Sequence, residues 1–575
     1  MTGARRVAIV GTGSRARLYT RGLAGRSGYA VAALCDPSPT RMAYHNRLLT
    51  AAGREAAAQW SPDGFARMLA TDDITDVVVA TVDELHDQYI VAAVEAGCQV
   101  VTEKPMTTDA SKCRAILDAT SRAGRSLTVA FNYRYNPVHE RIWQLLREQS
   151  IGEVLSVHFE WLLDVRHGAD YFRRWHREKA RSGGLMVHKA SHHFDLVNWW
   201  LGRAPQEVFG YGRLGFYGAA AGLRHGLRRE YARAHGSAAA ADDPFALDIA
   251  GNEGLRELYL LAEADSGYVR DRNVFDGDIS IEDDMAVLVR YASGASMSYH
   301  LSAYSPWEGY RVMFNGSAGR LELEVTESAW QPRRGGAASP GGAIHGEVAL
   351  ANAGGATIAL RKLWERPAEV PVAVGHSGHG GGDERMLTAL YGPADSGGDP
   401  SPGSTPADSG DAARQGASER DGALALVVGA AANECFRTGR PVRTADLVPG
   451  LLLRACLGRA GVDRDHLVKR GQLEDPGHSR ARADERQHTA VRAKPPVHQH
   501  DLMQRGRVDE REARHVHQKQ AGLLRGLRAQ HVTQFPGGDV GLADQPHHGG
   551  ETAFAVCLTD GHRQHSHDLH YVTPG

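Results

Sequence analysis

A glycine-rich turn follows the first apolar run of the chain, Val7–Val10. The turn comprises Gly11, Thr12, Gly13, Ser14, Arg15 and Ala16. Gly11 permits a tight turn, Gly13 has no side chain to obstruct a pyrophosphate, and Ala16 allows the next helix to lie close to the strand. The N-terminus of that helix offers free N–H groups and a partial positive charge to phosphates. We therefore expect residues 11–15 to bind a dinucleotide, the alternative being a glycine-rich turn of an unrelated α/β protein.

An acidic residue, Asp36, ends the next apolar run, twenty residues after Ala16. A carboxylate at this distance is placed to accept hydrogen bonds from an adenosine ribose. The negative charge of this carboxylate would also repel a 2′-phosphate, so Asp36 favours NAD over NADP. Arg41 lies five residues further on and offers a cation that could partly offset the charge, which leaves NADP possible.

A lysine follows a later apolar run, Gln99–Thr102, within the sequence Glu103, Lys104, Pro105. Doubly wound sheets bind ligands at the C-terminal ends of their strands. Oxidation of an alcohol by hydride transfer requires removal of the hydroxyl proton. An ammonium group there can lower the pKa of the hydroxyl and stabilise the developing alkoxide. Lys104 is our candidate for this role, and a surface ion pair with Glu103 is the alternative.

A histidine-rich segment, predicted to be one helix over Leu185–Leu201, supplies further proton-transfer candidates. It carries His188, Lys189, His192, His193 and Asp195. The spacing of His188, His192 and Asp195 places them on one helical face. This pattern is compatible with acid–base chemistry, with a divalent metal, or with polar residues that line a cleft. We predict no metal site, since the chain offers no obvious further ligand.

The elements that must position these residues change in type along the chain. Up to about residue 135, five apolar runs alternate with helix-length segments, which predicts a parallel doubly wound sheet. The runs are Val7–Val10, Ala30–Cys35, Val77–Thr81, Gln99–Thr102 and Leu127–Phe131. After about residue 150, several strands follow each other without helices, which predicts an open, mostly antiparallel sheet. The fold class is therefore α/β, with two different sheets.

These patterns divide the chain into three segments. Residues 1–135 form the predicted Rossmann domain, and residues 136–450 a substrate-binding α/β domain with insertions at 214–275 and 331–421. Residues 214–275 are expected at one edge of the sheet, and residues 331–360 and 393–421 as surface loops. Residues 461–575 hold 14 of the 29 histidines. We interpret this tail as disordered or as translated from the wrong reading frame, and we assign it no function.

The composition excludes several classes of protein. Lys plus Arg is 66 and Asp plus Glu is 68, a net charge of −2 that argues against a nucleic-acid binder. The longest apolar run, Ala423–Ala432, is about half of the ~20 residues that a membrane span requires. The six cysteines include no CxxC pair, which indicates a reducing compartment. We therefore expect a cytoplasmic protein without a membrane partner.

The sequence resembles the Gfo/Idh/MocA oxidoreductases over roughly residues 5–450. The matching motifs are Asp76–Thr81 with His86, Ala96–Pro105 with its Glu-Lys-Pro, Phe131–Pro137, Gly183–Gly202, the sheet from Glu282 to Leu323, and Gly439–Val442. The resemblance implies a Rossmann domain, an α/β domain with an open sheet, a nicotinamide cofactor and a sugar or polyol substrate. An exposed sheet face favours a homodimer or homotetramer.

The resemblance also implies roles for individual residues. It adds Thr81, His86, Glu103 and Lys104 to the cofactor side. His192 matches the family's histidine, whereas His188 stands where the family has an aspartate. His192 is therefore the leading general acid–base candidate, with Lys104 and His188. Asp195 could orient His192 from the next turn, although the resemblance favours a structural role. The predicted substrate contacts are Tyr133, Arg134, Trp175, Lys189 and His193.

Together these features predict an NAD(P)-dependent oxidoreductase that transfers hydride between a sugar or polyol hydroxyl and the cofactor. An alternative keeps NAD bound and cleaves a glycoside through transient oxidation, for which the histidine cluster supplies several bases. A second alternative is a cofactor-sensing protein without catalysis.

Overall fold

The computed structural model describes residues 4–331, 354–372, 380–395 and 415–451. Its N-terminal part alternates strands and helices, as the spacing of the apolar runs predicts. The strands are β1 (Arg5–Val10), β2 (Tyr29–Cys35), β3 (Ala58–Trp60), β4 (Asp76–Val79), β5 (Gln99–Thr102) and β6 (Thr128–Val129). The helices are Ala16–Ala24, Pro39–Ala51, Phe65–Thr71, His86–Glu95 and Ala110–Ala123. Local signals set their ends: Ser38 and Asp109 cap two helices with their side chains.

These six strands form a parallel sheet in the order β6-β5-β4-β1-β2-β3. The order in which strands are added reverses between β1 and β4, since β2 and β3 lie on one side of β1 and β4, β5 and β6 on the other. At such a point the loops that follow the two central strands leave a crevice at their C-terminal ends. Val7, Val10 and Val79 are fully buried, because helices cover both faces of the sheet. The parallel, doubly wound sheet that the sequence predicts is confirmed.

The second sheet contains the remaining long strands of the described residues. They are β7 (Val154–Asp164), β8 (Pro205–Arg213), β9 (Asp284–Tyr291), β10 (Ser296–Ser305), β11 (Glu308–Gly316), β12 (Gly319–Ser328), β13 (Ala356–Lys362) and β14 (Ala368–Glu369). Two short strands follow, β15 (Ala417–Ser418), which extends the first sheet beside β6, and β16 (Val442–Arg443). The order of the second sheet is β14-β13-β12-β11-β7-β10-β9-β8-β16, and only β7 and β10 pair in parallel. The predicted open, mostly antiparallel sheet is thus confirmed.

Helices pack on one face of this second sheet, among them Val165–Arg173 against β10 and Glu419–Thr438 against β8. The remaining α-helices of the described residues are Pro137–Arg147, Lys179–Ser182, Leu185–His188, Ser191–Leu201, Ala219–Arg224, Glu253–Leu255, Glu263–Ser266, Gly382–Tyr391 and Thr444–Leu447. The opposite face carries exposed apolar side chains, among them Leu155, Tyr211 and Leu288. None of the helices in the described ranges has the length and apolar character needed to cross a membrane.

The single helix predicted over Leu185–Leu201 is wrong. The structure has two helices, Leu185–His188 and Ser191–Leu201, separated by a turn at residues 189–190. The amide of Ala190 donates to the carbonyl oxygen of Leu185, five residues earlier in the chain. This hydrogen bond closes a turn that contains one residue more than an α-helical turn. His188 and His192 therefore do not lie one above the other on a continuous helical face.

Two further expectations need correction. The segment between β8 and β9 was expected at one edge of the second sheet, but it extends to the Rossmann domain. Its Leu255 and Leu258 are buried there against Tyr44, on the helix Pro39–Ala51. Residues 331–360 were expected to be a surface loop, but residues 356–360 belong to β13, every residue of which pairs with β12. Most of residues 331–421 and all of the histidine-rich stretch 461–575 lie outside the described residues.

Candidate active site

A cavity of about 640 Å³ opens at the C-terminal ends of the central strands of the first sheet. Thirteen of the predicted site residues line it: Gly11, Gly13, Ser14, Arg15, Asp36, Thr81, His86, Glu103, Lys104, Trp175, His188, Lys189 and His192. Thr12, Tyr133, Arg134 and His193 are not part of the lining. Residues that sequence reasoning did not propose also contribute, notably Asp83, Tyr171, Arg174, His176 and Tyr259.

The glycine-rich turn after β1 has the shape that a diphosphate requires. Gly11 adopts a φ of 83°, and a Cβ there would lie 2.6 Å from the backbone of Ala80 and Thr81, so no larger residue fits. A Cβ on Gly13 would meet nothing closer than the Tyr259 hydroxyl at 3.6 Å. Because Gly13 has no side chain, the turn leaves room beside the Tyr259 hydroxyl for the diphosphate of a nicotinamide dinucleotide.

Asp36 closes the adenosine end of the same turn. Its two carboxylate oxygens accept hydrogen bonds from the backbone amides of Thr12, at 2.7 Å, and Ser38, at 2.8 Å. Thr12 therefore contributes through its backbone, and its side chain is buried. Because each carboxylate oxygen can accept a second bond, Asp36 stays able to bind ribose hydroxyls from the cavity.

Glu103 pairs with Arg15, which excludes the predicted alternative of a Lys104–Glu103 surface ion pair. Nε of Arg15 lies 2.6 Å from Glu103, and its Nη2 lies 2.9 Å from Asp383. The Tyr19 hydroxyl donates to the same Glu103 oxygen at 2.8 Å. This network joins the helix after β1 to the loop after β5. The Lys104 ammonium is not part of it and lies next to His188 instead.

Lys104 is the first member of a chain of three polar side chains. Its Nζ lies 3.4 Å from Nε2 of His188, and Nδ1 of His188 lies 2.5 Å from Oδ2 of Asp83. An ammonium group can only donate, so Nε2 accepts and the ring proton on Nδ1 is donated to Asp83. Asp83 thus orients His188. Asp83 lies four residues after the end of β4. This position after a strand is the sequence signal that could have identified it as a site residue.

The environment tunes these groups for proton transfer. Burial lowers the pKa of the Lys104 ammonium to about 8, although the Asp83 carboxylate opposes this effect. Burial also lowers the pKa of His188, and the neighbouring Lys104 cation lowers it further, so the imidazole is neutral at neutral pH. A lysine with a pKa near neutrality can both accept and return a proton.

His192 lies on another part of the cavity wall. Its ring stacks on Tyr133 with the centroids 4.4 Å apart, and it meets the edge of Phe131 at 5.8 Å. Asp195 does not orient His192 from the next turn. Both of its oxygens instead bind Arg134, at 2.7 and 2.5 Å, in a buried pair. Arg134 is therefore committed to this ion pair and does not reach the substrate side of the cavity.

The remaining predicted residues divide between cavity and core. Nδ1 of His193 contacts the Tyr299 hydroxyl at 2.7 Å, and its ring stacks on Trp161, which places it in the core. Tyr133 lies behind His192, and Nζ of Lys189 donates to its hydroxyl at 3.4 Å.

His86 and Trp175 support the cavity wall. The two ring nitrogens of His86 face the carbonyl oxygens of Pro105, at 2.8 Å, and Thr81, at 3.3 Å, which ties two cofactor-side loops together. Trp175 stacks on His176 at 3.6 Å.

The buried carboxylate of Glu308, which sequence reasoning missed, lies close enough to Lys189 to oppose the lowering of that lysine's pKa by burial. Glu308 lies 2.6 Å from Nδ1 of His167, and the hydroxyl of Tyr171, a residue of the cavity lining, lies 3.2 Å from the other nitrogen of that ring. Burial raises the pKa of Glu308 to about 8. Glu308 begins β11 with no motif around it, so only the fold brings it close to Lys189.

Comparison with known proteins places the chain in a family. An oxidoreductase-family model of an NAD-binding Rossmann fold matches residues 5–131, and the model of that family's C-terminal alpha/beta domain matches residues 144–347. "Putative oxidoreductase YteT" of Bacillus subtilis is 35% identical over 381 residues, which cover 63% of this chain and 82% of that protein. The chain belongs to the Gfo/Idh/MocA family.

Two further matches share less sequence with the chain. "Inositol 2-dehydrogenase 2" of Saccharopolyspora erythraea is 29% identical over 199 residues, which cover 34% of this chain and 54% of that protein. The crystal structure of an oxidoreductase domain protein from Kribbella flavida has a TM-score of 0.50 and 17% identity, and covers 77% of this chain and all of that one. This structural likeness supports the fold alone.

The family assignment confirms several predictions. The protein is an oxidoreductase, and its N-terminal domain is an NAD-binding Rossmann domain. Among the described residues, no group of three or more His, Cys, Asp or Glu side chains has the arrangement of a metal site.

Proposed function

We propose that this protein is an NAD-dependent dehydrogenase that oxidises a secondary hydroxyl group of a sugar or polyol. The observation that carries the proposal is the chain Lys104–His188–Asp83, which reaches the cavity at the C-terminal end of β5 beside the dinucleotide site. Relatives named inositol 2-dehydrogenase and levoglucosan dehydrogenase support this substrate class.

NAD, when bound, supplies the hydride acceptor, and this chain's own residues handle the proton. Gly11, Gly13 and Asp36 hold the diphosphate and the adenosine ribose. Lys104 in its neutral form accepts the proton of the substrate hydroxyl. His188, neutral and hydrogen-bonded through Nε2 to Lys104, stabilises the resulting ammonium.

Asp83 and His192 complete the assignment. Asp83 balances the positive charge that develops on the Lys104–His188 pair, because its carboxylate contacts Nδ1 of His188. His192, held flat against Tyr133, binds a second hydroxyl of the substrate and so fixes which carbon faces the cofactor. Lys189 and Trp175 form the remaining wall on the substrate side.

The test is NAD⁺ reduction, followed by the absorbance of reduced nicotinamide, with a panel that contains myo-inositol, levoglucosan and common hexoses. We expect at least one polyhydroxylated compound to reduce NAD⁺, and the variant Lys104→Met to lose this activity while it still binds NAD⁺ in a calorimeter. The control variant Lys112→Met changes a lysine that lies outside the cavity lining. Release of nitrophenol from nitrophenyl glycosides without net NAD⁺ reduction would instead show redox-neutral cleavage and overturn the proposal.

A further inference from the structure

The segment between β8 and β9, residues 214–283, forms part of the cofactor site. Its Leu255 and Leu258 are buried against Tyr44, on the helix Pro39–Ala51 of the Rossmann domain. The Tyr259 hydroxyl accepts a hydrogen bond from the amide of Ser14 at 3.0 Å. Because an apolar contact anchors the segment, its polar side chains are held at defined positions over the cofactor-binding turn.

One carboxylate of this segment occupies hydrogen-bond donors beside Asp36. Oδ2 of Asp265 accepts from the hydroxyl of Ser38, at 2.6 Å, and from the amide of Thr40, at 3.1 Å. These bonds, led by that from Ser38, hold the pKa of Asp265 below its usual range, so the group is ionised at neutral pH. Ser38 and Thr40 immediately follow Asp36, at the place where an adenosine ribose presents its 2′ position.

The nearby cation is also engaged by the same segment. Arg41 donates from Nε to the carbonyl oxygen of Leu258, at 3.0 Å, and from Nη2 to the hydroxyl of Ser266, at 3.3 Å. Its remaining nitrogen lies 3.6 Å from Asp36, and its guanidinium lies over the Tyr259 ring. Arg41 is therefore not available to a 2′-phosphate, although the sequence alone left that role open.

We propose that Asp265, contributed by the second domain, is a specificity-determining residue that excludes NADP. A 2′-phosphate would meet two carboxylates, Asp36 and Asp265, and would find the hydroxyl of Ser38 and the amide of Thr40 already bonded. NAD carries only a hydroxyl there, which can donate to Asp36. The inference concerns the choice of dinucleotide and does not depend on which substrate is oxidised.

The experiment is calorimetric titration of the full chain with NAD⁺ and with NADP⁺, without substrate. Asp265→Asn keeps an oxygen that accepts from Ser38 but removes the charge. We expect its Kd for NADP⁺ to fall about tenfold and its Kd for NAD⁺ to stay within twofold. Asp265→Ala also releases the two donors and should tighten NADP⁺ binding further. Glu253→Gln, an exposed charge change in the same segment, should alter neither Kd.

Several outcomes would overturn the proposal. They are a wild-type protein that binds NADP⁺ as tightly as NAD⁺, an unchanged ratio of the two Kd values in both Asp265 variants, and loss of NAD⁺ binding in a folded Asp265→Asn variant. Failure of the dehydrogenase proposal has a different signature, because the dinucleotide titrations would then succeed while no compound of the substrate panel reduces NAD⁺.

Discussion

Replacement of Asp83 by asparagine tests the proton-transfer chain at the end farthest from the substrate. The change keeps the size of the side chain but removes the negative charge that contacts Nδ1 of His188 at 2.5 Å. Both side chains are at least nine-tenths buried, so water does not screen the interaction. A hydrogen bond to a charged group contributes about 1.5–3 kcal/mol, whereas a neutral one contributes about 0.5–1.5 kcal/mol.

The difference of about 1–2 kcal/mol corresponds to a fall of about 5- to 30-fold in kcat/KM. The pH dependence should also change, in a direction that the structure specifies. The Asp83 carboxylate raises the pKa of Lys104, which burial has lowered to about 8. In Asp83→Asn the pKa of Lys104 therefore falls further, and the rising limb of kcat/KM for alcohol oxidation moves to lower pH.

The assay is NAD⁺ reduction as a function of pH with the polyol identified in the panel, together with calorimetric NAD⁺ binding. Asp87→Asn is the matched control, because Asp87 lies in the same region, 3.8 Å from Lys112, and does not line the cavity. The Asp83→Asn variant should bind NAD⁺ normally, because the Asp83 carboxylate contacts His188 and not the glycine-rich turn. An Asp83→Asn enzyme with unchanged kcat/KM and an unmoved pH limb would refute the reasoning.

Three further predictions concern the same molecule. In the wild type, kcat/KM for oxidation should rise with pH and level off above about 8 as Lys104 loses its proton, while carbonyl reduction should show the opposite trend; a flat profile would contradict this. Gly13→Val should weaken NAD⁺ binding at least tenfold in calorimetry, because its side chain would occupy the room that the diphosphate needs. The free energy of unfolding should change by no more than about 0.5 kcal/mol, since a Cβ at Gly13 makes only an ordinary contact with the Tyr259 hydroxyl, at 3.6 Å. Asp195→Ala should lower the free energy of unfolding, measured in urea, by about 3–5 kcal/mol, because it leaves the buried Arg134 guanidinium without its bidentate partner. A loss below about 1 kcal/mol would show that this ion pair does not stabilise the fold.

The cofactor half of the site could be predicted from the sequence because its signals are local. Gly11, Gly13 and Asp36 act through backbone shape and through a fixed distance along the chain, and the alternating apolar runs specify the parallel sheet that presents them. Lys104 belongs to the same class, since its position directly after a strand places it at the ligand-binding edge.

The substrate half could not be predicted in the same way. A regular helical period placed His188, His192 and Asp195 on one face, but the extra residue at the Lys189–Ala190 turn separates the two histidines. Arg134 has the residue type of a substrate contact, yet burial beside Asp195 makes it part of an internal ion pair.

Features that depend on residues close together in the chain could thus be predicted from the sequence. They are the family, the two sheets, the dinucleotide-binding turn and the position of Lys104. Pairings between distant residues were not, because they depend on how elements pack. His188 meets Asp83 across 105 residues, and Asp265 meets Ser38 across 227. No periodicity or motif links such positions, and only the folded arrangement of the two domains brings each carboxylate to its donor.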